Sequence, residues 1–290
     1  MARLADMDSI DTVWLVLNAR SGSNEDAAIA NLRDHCARRN LTLAHEIRFP
    51  DEELPTAAAL DEAGISCLAV FTGDGTLNAA ITKLYGWSGS ILVLPGGTMN
   101  LLSRRMHGEA EAAEILDRIA DGAFRKVRPQ VARCDAGDAL AGLLSGPGTA
   151  WASVREAMRD LDLGALAAET GEALVETTSG AFVRMVEPPQ GTREGYPMIE
   201  FTPSHRGLQL DAYHAKDPGD FLRQGWALLR RRFRDGPHDR LGLFDEVTLE
   251  NCEGEPIGIL IDGEPASLGS RATFSVAACE VDLLATAYGY

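Results

Sequence analysis

Short apolar runs alternate with segments of helical periodicity over roughly the first 125 residues of the chain. The runs at Thr12–Asn18, Ser66–Phe71 and Ser90–Pro95 are apolar without alternation, which is typical of strands buried on both faces. Repeated strand–helix units predict a parallel sheet with helices on both faces. A helix is predicted after Ser23, with Ile29, Leu32 and Cys36 on one face. The other elements predicted here are a strand at Leu41–Ile47 and helices at Leu54–Gly64, Thr76–Tyr85, Met99–Met106 and Glu109–Ala120.

From about Arg125 onward the pattern changes to strand-like runs separated by turn residues. This half predicts a mainly antiparallel β-sandwich or barrel, interrupted by helical segments around Ala150–Ala168 and Asp220–Arg234. We therefore predict two domains, an α/β lobe at residues 1–125 and a β lobe at residues 126–290. The prediction allows the final strands to return and pack on the first lobe.

Charge and composition exclude several classes of function. The chain has 290 residues and a formal net charge of −16, so non-specific nucleic-acid binding, which needs clustered Lys and Arg, is not expected. Residues 1–20 lack the apolar core of a signal peptide, and no run reaches the roughly 20 apolar residues that span a bilayer. We expect a cytoplasmic protein whose five cysteines, none in a CxxC pair, are reduced buried thiols.

Three turns rich in Gly, Ser, Thr and Asn follow predicted strands. They are Asn18–Ser23 (NARSGS), Thr72–Thr76 (TGDGT) and Pro95–Asn100 (PGGTMN). In a parallel sheet such turns gather at one edge, where ligands bind. Glycine permits close backbone approach, and the N–H groups at helix N-termini attract phosphate oxygens. The turns therefore predict a nucleotide or polyphosphate site, with hydroxyl donors from Ser21, Thr76 and Thr98.

Each turn alone has a simpler explanation. An Asp-Gly pair is most often a plain turn, because both residues tolerate unusual dihedral angles. The segment Gly73–Asn78 lacks the third glycine of the dinucleotide fingerprint, and no G-x-x-x-x-G-K-[ST] loop occurs. The sequence therefore supports neither a Rossmann dehydrogenase nor a P-loop NTPase.

The order NARSG, TGDGT, LPGGTMN and a late IDGE at Ile261–Glu264 resembles the diacylglycerol kinase catalytic-domain family, which includes bacterial lipid kinases and the sphingosine and ceramide kinases. The resemblance implies an ATP-binding N-terminal lobe and a β-sandwich C-terminal lobe that receives the lipid. The implied activity is that of an ATP- and Mg²⁺-dependent transferase that phosphorylates a hydroxyl of diacylglycerol or a related lipid.

The same resemblance implies roles for individual residues. Asp74 would hold phosphates and organise Mg²⁺ or act in catalysis, and Glu264 would be the general base. Without the resemblance, the Asp-Gly-Glu segment at Asp262–Glu264 is more simply a hairpin turn. The residues implied to bind nucleotide are Asn18, Ser21, Gly22, Gly73, Gly75, Thr76, Gly97, Thr98 and Asn100.

The sequence departs from the family pattern at several positions. Ala19 and Thr72 replace a proline and a glycine, and Leu101 stands where the family has an acidic residue. A second acidic position aligns with Gln130, or with Asp135 if the register shifts. Fewer carboxylates would weaken Mg²⁺ binding. One alternative is therefore a catalytically impaired nucleotide- or lipid-binding member, and another is an NAD kinase-like enzyme.

A lipid kinase must reach a membrane surface. The segment Asp220–Gly236 combines Trp, Phe and Leu with five arginines in an amphipathic pattern, which is typical of a helix lying in the membrane interface. The alternative is a helix packed on the sheet with a solvated arginine face. We expect a lipid partner at a membrane surface, peripheral membrane contact through this segment, and we leave a homodimer open.

Overall fold

The computed structural model of the chain describes residues 10–18, 26–97, 99–147, 182–213 and 238–287. The chain divides into two units. The first unit contains residues 1–129 together with residues 278–290, and the second unit contains residues 130–277.

The first unit is built on a six-stranded sheet in the order β2-β1-β3-β4-β18-β5. The first five strands in this order are parallel to their neighbours, and β5 pairs antiparallel with β18. All six residues of β3 are buried, as expected for a strand covered on both faces. The strands are β1 (Thr12–Asn18), β2 (Thr42–Phe49), β3 (Cys67–Thr72), β4 (Ser90–Pro95), β5 (Arg125–Val127) and β18 (Asp282–Ala285).

Five helices of the first unit connect these strands among the described residues. Helix α2 begins after Thr56, whose hydroxyl accepts a hydrogen bond from the N–H of Ala59 at 3.2 Å. Apolar residues of α1 and α5 share one core with the sheet. The helices are α1 (Asp26–Arg38), α2 (Ala57–Glu62), α3 (Asp74–Lys83), α4 (Leu101–His107) and α5 (Ala112–Ala120).

The helix starts beside the glycine-rich turns differ from the prediction, as do those of α2 and α5, which begin at Ala57 rather than Leu54 and at Ala112 rather than Glu109. Helix α3 begins at Asp74 rather than Thr76, because Gly73 adopts the extended conformation of an N-cap residue. Helix α4 begins at Leu101 rather than near Met99, because Asn100 is left-handed, with φ 51° and ψ 40°. The shifts of α3 and α4 place the glycine-rich turns directly against a helix N-terminus.

The last strand of the chain returns to the first unit. β18 lies between β4 and β5, and Leu283 and Leu284 on it are fully buried. Arg128 Nε donates to Asp282 Oδ1 at 2.7 Å, which joins the strand to the chain just after β5. The sheet of the first unit therefore needs residues from both ends of the sequence.

The second unit contains two six-stranded sheets, in the orders β10-β9-β14-β17-β6-β7 and β13-β12-β11-β8-β15-β16. Their apolar residues form one core, in which the rings of Phe201 and Phe274 lie 4.5 Å apart between centroids. The predicted fold class, an α/β lobe followed by antiparallel sheets, is confirmed. The strands are β6 (Gln130–Cys134), β7 (Gly137–Ala139), β8 (Leu143–Pro147), β9 (Val183–Glu187), β10 (Pro189–Gln190), β11 (Met198–Ser204), β12 (Gly207–Tyr213), β13 (His238–Phe244), β14 (Glu246–Asn251), β15 (Ile257–Ile261), β16 (Glu264–Leu268) and β17 (Arg271–Ala278).

Several predictions lie outside the described residues. These are the helical segments around Ala150–Ala168 and Asp220–Arg234, and with them the amphipathic segment Asp220–Gly236. Among the residues that are described, no helix is long and apolar enough to cross a bilayer.

The prediction of buried thiols holds for three of the five cysteines, whereas Cys134 is half-buried and Cys252 is exposed. All five cysteines are free, and Cys252 is exposed because it lies in the turn that follows β14. Burial raises the pKa of the Cys36 thiol to about 11 and that of Cys67 to about 12. These two thiols are therefore uncharged at neutral pH and are poor nucleophiles.

Candidate active site

The carboxyl ends of β1, β3 and β4 lie side by side in the first sheet. Val16 pairs with Val70 on β3, and Thr72 pairs with Pro95 on β4, so the strand ends that precede the three glycine-rich turns lie at one edge of the sheet. Within these turns Ser21, Gly22 and Thr98 lie outside the described residues. The remaining residues of the turns define the candidate site.

The turns after β3 and β4 touch through their backbones. A Cβ atom on Gly97 would lie 2.5 Å from Gly73 Cα, and one on Gly96 would lie 2.5 Å from the Phe71 carbonyl carbon. Real Cβ atoms essentially never come this close to another heavy atom. The two glycines of PGG are therefore required for the turns to pack against each other.

Asn18 connects the end of β1 to this pair of turns. Its Nδ2 donates a hydrogen bond to Thr76 Oγ1 at 2.9 Å, between the last residue of β1 and the first turn of α3. The sequence predicted Asn18 and Thr76 as separate nucleotide contacts. In the structure they are direct neighbours.

Asp74 occupies the first position of α3 and reaches the start of α4. Its Oδ2 accepts the N–H of Leu101 at 3.1 Å, and its Oδ1 accepts the N–H of Leu102 at 3.2 Å. A carboxylate at a helix N-terminus is stabilised by the helix dipole and satisfies N–H groups that lack a partner within the helix. Asp74 therefore fixes α4 relative to α3, in addition to any role in binding.

Asn100 closes the loop that follows β4. Its Oδ1 accepts the N–H of Gly97 at 2.8 Å, and its Nδ2 donates to the Gly97 carbonyl at 2.8 Å. Asparagine is one of the few residues with a side chain that adopts the left-handed conformation readily. The amide group of Asn100 thus shapes the loop, and its predicted contact with phosphate stays a prediction.

The N-terminus of α3 lies against the loop after β4, and we call the turns Thr72–Thr76 and Pro95–Asn100 together the loop cluster. Gly73 is its N-cap residue and provides no side-chain hydrogen bond to the helix. Such a helix start, preceded by glycine, is a favourable place for an anion because the first N–H groups point outward. The candidate phosphate-binding positions Gly73, Gly75 and Thr76 are all at this helix start.

A cleft of about 510 Å³ opens beside the loop cluster. Phe71, Pro95, Gly97 and Asn100 line it from the strand ends, and α1 and α4 supply further walls. Its volume falls in the range of about 300–1,000 Å³ that small-molecule sites occupy.

The late motif, Ile261–Glu264, belongs to the second unit. Asp262 and Gly263 form the two-residue turn between β15 and β16, and Glu264 is the exposed first residue of β16. Asp262 is buried, and its carboxylate accepts the N–H groups of Leu140, Ala141 and Gly142. The hairpin turn anticipated for this motif is therefore present, with a set of contacts that the sequence does not reveal.

The positions where the sequence departs from the family pattern are also visible. The backbone N–H of Leu101 binds Asp74, so that contact does not depend on the missing acidic side chain. Gln130 is the first residue of β6, and Asp135 is exposed in the turn between β6 and β7. Among the described residues, no group of three or more His, Cys, Asp or Glu side chains is arranged to hold a metal ion.

Residues 12–131 match the family model of the diacylglycerol kinase catalytic domain. The resemblance to that family is confirmed. The matched region spans β1, β3, β4 and the three glycine-rich turns. None of the curated proteins is similar enough in sequence to match the chain.

Solved structures share the fold over nearly the whole length. A diacylglycerol kinase of Bacillus anthracis Sterne has a TM-score of 0.59 at 16% identity, over 94% of this chain and 96% of that chain. A second structure from the same organism, described as a candidate diacylglycerol kinase, has a TM-score of 0.60 at 15% identity, with the same coverage. At this identity the likeness concerns the fold.

Sequence reasoning missed the structural contacts of two motif residues. It assigned Asp74 to ligand binding but not to the N-terminus of α4, which is 27 residues away. It also gave no partner for Asp262, whose amide donors lie about 120 residues earlier in the chain. The only available signal was an acidic residue next to glycine in each motif, which does not identify the donors.

Proposed function

We propose that the protein is an ATP- and Mg²⁺-dependent kinase that transfers phosphate to a hydroxyl of diacylglycerol or a related lipid. The observation that supports this most is the meeting of three elements at one sheet edge. Asn18 bonds to Thr76, and the Gly73 turn touches the Gly97 turn. Phosphoryl transfer depends mainly on positioning and charge stabilisation, which such a cluster of amides and hydroxyls can provide.

The described residues fit a nucleotide. The N-terminal amides of α3, with Gly73, Gly75 and Thr76, would bind phosphate oxygens, while Asn18 and the Gly97–Asn100 loop would border them. Ser21, Gly22 and Thr98 would complete the contacts from the same turns. The adjoining cleft of about 510 Å³ leaves room for a ligand of nucleotide size.

The fit to Mg²⁺ rests on Asp74. Its carboxylate lies at the start of α3, against the first amides of α4, and carboxylate oxygen is a ligand that Mg²⁺ prefers. Mg²⁺ usually takes one or two carboxylates and completes its shell with waters and substrate phosphates. When bound, the ion would neutralise negative charge on the phosphates.

Glu264 is the proposed general base. Its carboxylate would take the proton of the lipid hydroxyl as that oxygen bonds to the terminal phosphorus of ATP and the bond from that phosphorus to ADP breaks. Glu264 is exposed at the start of β16, so it is accessible to a substrate. Asp262 and Gly263 hold the turn directly before it.

The test is transfer of labelled phosphate from ATP by the purified full-length chain to diacylglycerol, sphingosine and ceramide in mixed micelles. We expect transfer to at least one lipid, and a loss of about 100-fold or more in kcat for Glu264→Gln. Asp34→Asn, an exposed aspartate on α1, is the matched control and retains activity. Absence of transfer to every lipid by the folded protein, or transfer to NAD instead, would contradict the proposal.

A second candidate is a nucleotide-binding protein of this fold without efficient transfer. Leu101 and Gln130 at two acidic positions of the family pattern favour it, because they remove carboxylates that would support Mg²⁺. Isothermal titration with ATP would then show binding, while the transfer assay stays negative. Restoring the acids with Leu101→Asp and Gln130→Asp would raise transfer if these positions are the cause.

Access to a lipid acceptor is proposed to involve the segment Asp220–Gly236. The support is its sequence alone, in which Trp226 and neighbouring apolar residues alternate with arginines. We expect the chain to sediment with vesicles containing anionic lipid, and Trp226→Ala to weaken this binding. Binding that is unchanged by the substitution would argue against the segment.

A further inference from the structure

Asp262 forms a turn that does not by itself require an aspartate. Ile261 pairs with Glu264, which leaves Asp262 and Gly263 as a two-residue hairpin loop. Their φ angles are 48° and 91°, both positive, as in a type I′ turn. Asn-Gly forms this turn at least as well as Asp-Gly, so the geometry of the turn does not explain why residue 262 carries a carboxylate.

The carboxylate of Asp262 binds three consecutive backbone amides. Its Oδ2 accepts the N–H of Leu140 at 2.8 Å, and its Oδ1 accepts those of Ala141 at 2.8 Å and Gly142 at 3.0 Å. The N–H of Asp262 donates in return to the Gly142 carbonyl at 3.1 Å. Asp262 is only 7% exposed, so these bonds are shielded from water.

Three donors directed at two oxygens explain why the residue is an aspartate. A carboxylate is an acceptor at both oxygens, whereas the amide of asparagine has one acceptor oxygen and an NH₂ group that only donates. Hydrogen bonds to an ionised acceptor are stronger than neutral ones. We call the contact between the Asp262 carboxylate and the amides of Leu140–Gly142 the amide clamp.

The amide clamp joins two parts of the second unit. Leu140–Gly142 connects β7 to β8, and β8 pairs with β15 so that Leu143 lies opposite Ile261. The clamp therefore fixes the tip of the β15–β16 hairpin on the start of β8. Glu264 follows the clamped residue by two positions and opens β16.

We infer that Asp262 is a positioning residue, which holds the turn on the amides of Leu140–Gly142 and thereby sets the position of Glu264. The assignment of Glu264 as the base rests on the proposed function, whereas the clamp itself does not. The acidic residue of the late motif then acts through the backbone rather than on the substrate.

Three variants of the chain distinguish the effect of losing the amide clamp from the effect of disturbing the turn. Asp262→Gly keeps the positive φ and removes every acceptor, while Asp262→Asn keeps the turn and one acceptor oxygen. Asp245→Asn, an exposed aspartate between β13 and β14, is the matched control. Amide hydrogen exchange of residues 140–142 measures the clamp without reference to activity.

In the Asp262→Gly variant we expect the backbone amide hydrogens of Leu140, Ala141 and Gly142 to exchange faster than in the wild type. In the Asp262→Asn variant we expect faster exchange mainly of the Leu140 amide hydrogen, because the side-chain oxygen that accepts it is replaced by NH₂. The control leaves all three amides as protected as in the wild type. Unchanged protection in Asp262→Gly would overturn the inference, whether or not the chain transfers phosphate.

Kinetics test the consequence for Glu264. A misplaced base costs on the order of 100-fold, so we expect Asp262→Gly to lower kcat by about that factor and Asp262→Asn by less, with KM for ATP unchanged. Both variants keep the shape of the pH–rate profile, whereas Glu264→Gln loses the limb that belongs to the base. If Asp262→Asn is as inactive as Glu264→Gln while the amides stay protected, Asp262 acts directly and the inference is wrong. If the wild type transfers no phosphate, the proposed function fails, and exchange alone decides the clamp.

Discussion

Two aspartates of the recognisable motifs are bound to backbone amides. Asp74 accepts two N–H groups at the start of α4, and Asp262 accepts three at the start of β8. In both cases an anionic carboxylate accepts hydrogen bonds from backbone N–H groups, and such bonds are stronger than those between neutral groups. Substitution of either residue therefore changes local structure as well as chemistry, and the two effects need separate measurements.

Replacing Asp74 tests its structural contribution. Asp74→Ala removes the acceptors of the Leu101 and Leu102 amides, so we expect the free energy of unfolding to fall by about 1–2 kcal/mol, as for loss of a helix cap. Urea unfolding of the full chain measures the change. Asp34→Ala, exposed on α1, stays within about 0.5 kcal/mol of the wild type. An Asp74→Ala variant as stable as that control would show that the contacts with α4 contribute little.

His107 makes the free energy of unfolding of the first unit depend on pH below about 6.5. It is buried at the end of α4, where its Nδ1 lies 2.9 Å from Thr286 Oγ1, and burial lowers its pKa from 6.5 to about 4. As pH falls below about 6.5 the unfolded chain takes up the proton first. The folded state therefore loses stability between pH 6.5 and pH 4, by about 3 kcal/mol in total.

The variant His107→Gln removes that proton uptake. We expect its free energy of unfolding to depend less on pH than that of the wild type between pH 6.5 and pH 4, and to run parallel to it above pH 7. Urea unfolding at several pH values measures the difference in free energy of unfolding between the wild type and the variant. The contribution of carboxylate titration is the same in both and cancels in this difference. Parallel curves over the whole range would contradict the role of His107.

At the scale of elements, the glycine-rich turns are held by contact between backbones. Gly97 has no room for a side chain, whereas the nearest atom to a Cβ on Gly73 would be 3.8 Å away. The two glycines therefore differ in what they require, although both belong to a family motif. Gly97 allows the two turns to pack, and Gly73 leaves space beside the start of α3.

This difference predicts unequal effects of alanine. Gly97→Ala must push the two turns apart, so we expect a loss of about 1–3 kcal/mol in stability and weaker binding of ATP. Gly73→Ala makes only an ordinary contact, so we expect it to lose at most about 1 kcal/mol, the cost of alanine at an N-cap position. Thermal unfolding of both variants measures this, and equal losses of Tm would contradict the packing argument.

The sequence predicts the elements better than the contacts between them. β1 and β4 have the predicted bounds, because a continuous apolar run between polar turns has few other interpretations. The sequence predicts the start of α3 two residues too late, because a glycine N-cap has no side-chain signal. The contacts of Asp74 and Asp262 join segments far apart in sequence, which no local pattern encodes.

At the scale of the whole molecule, the first sheet depends on the end of the chain. β18 lies inside the sheet, and Leu283 is fully buried. The sequence allowed for such a return without fixing its position, because a short apolar segment such as Asp282–Ala285 carries no signal of its neighbours. The nucleotide site proposed for the first unit thus depends on residues after the second unit.

A substitution in β18 tests this dependence. Leu283→Ala leaves a cavity in the first sheet, so we expect a loss of about 2–5 kcal/mol in stability and a lower affinity for ATP in calorimetry. Leu243→Ala, at a leucine that is 49% exposed on β13, is the matched control and costs little. Unaltered stability in Leu283→Ala would mean that β18 is not part of the folded sheet.

The central claim is that the strand-end turns of the first unit bind the phosphates of ATP. A crystal structure of the chain with Mg²⁺ and a non-hydrolysable ATP analogue tests it most directly. We predict phosphate oxygens against the amides of Gly73–Thr76 and beside the Gly97–Asn100 loop, with the metal next to Asp74. An analogue bound elsewhere, or the absence of bound analogue at saturating concentration, would contradict the account.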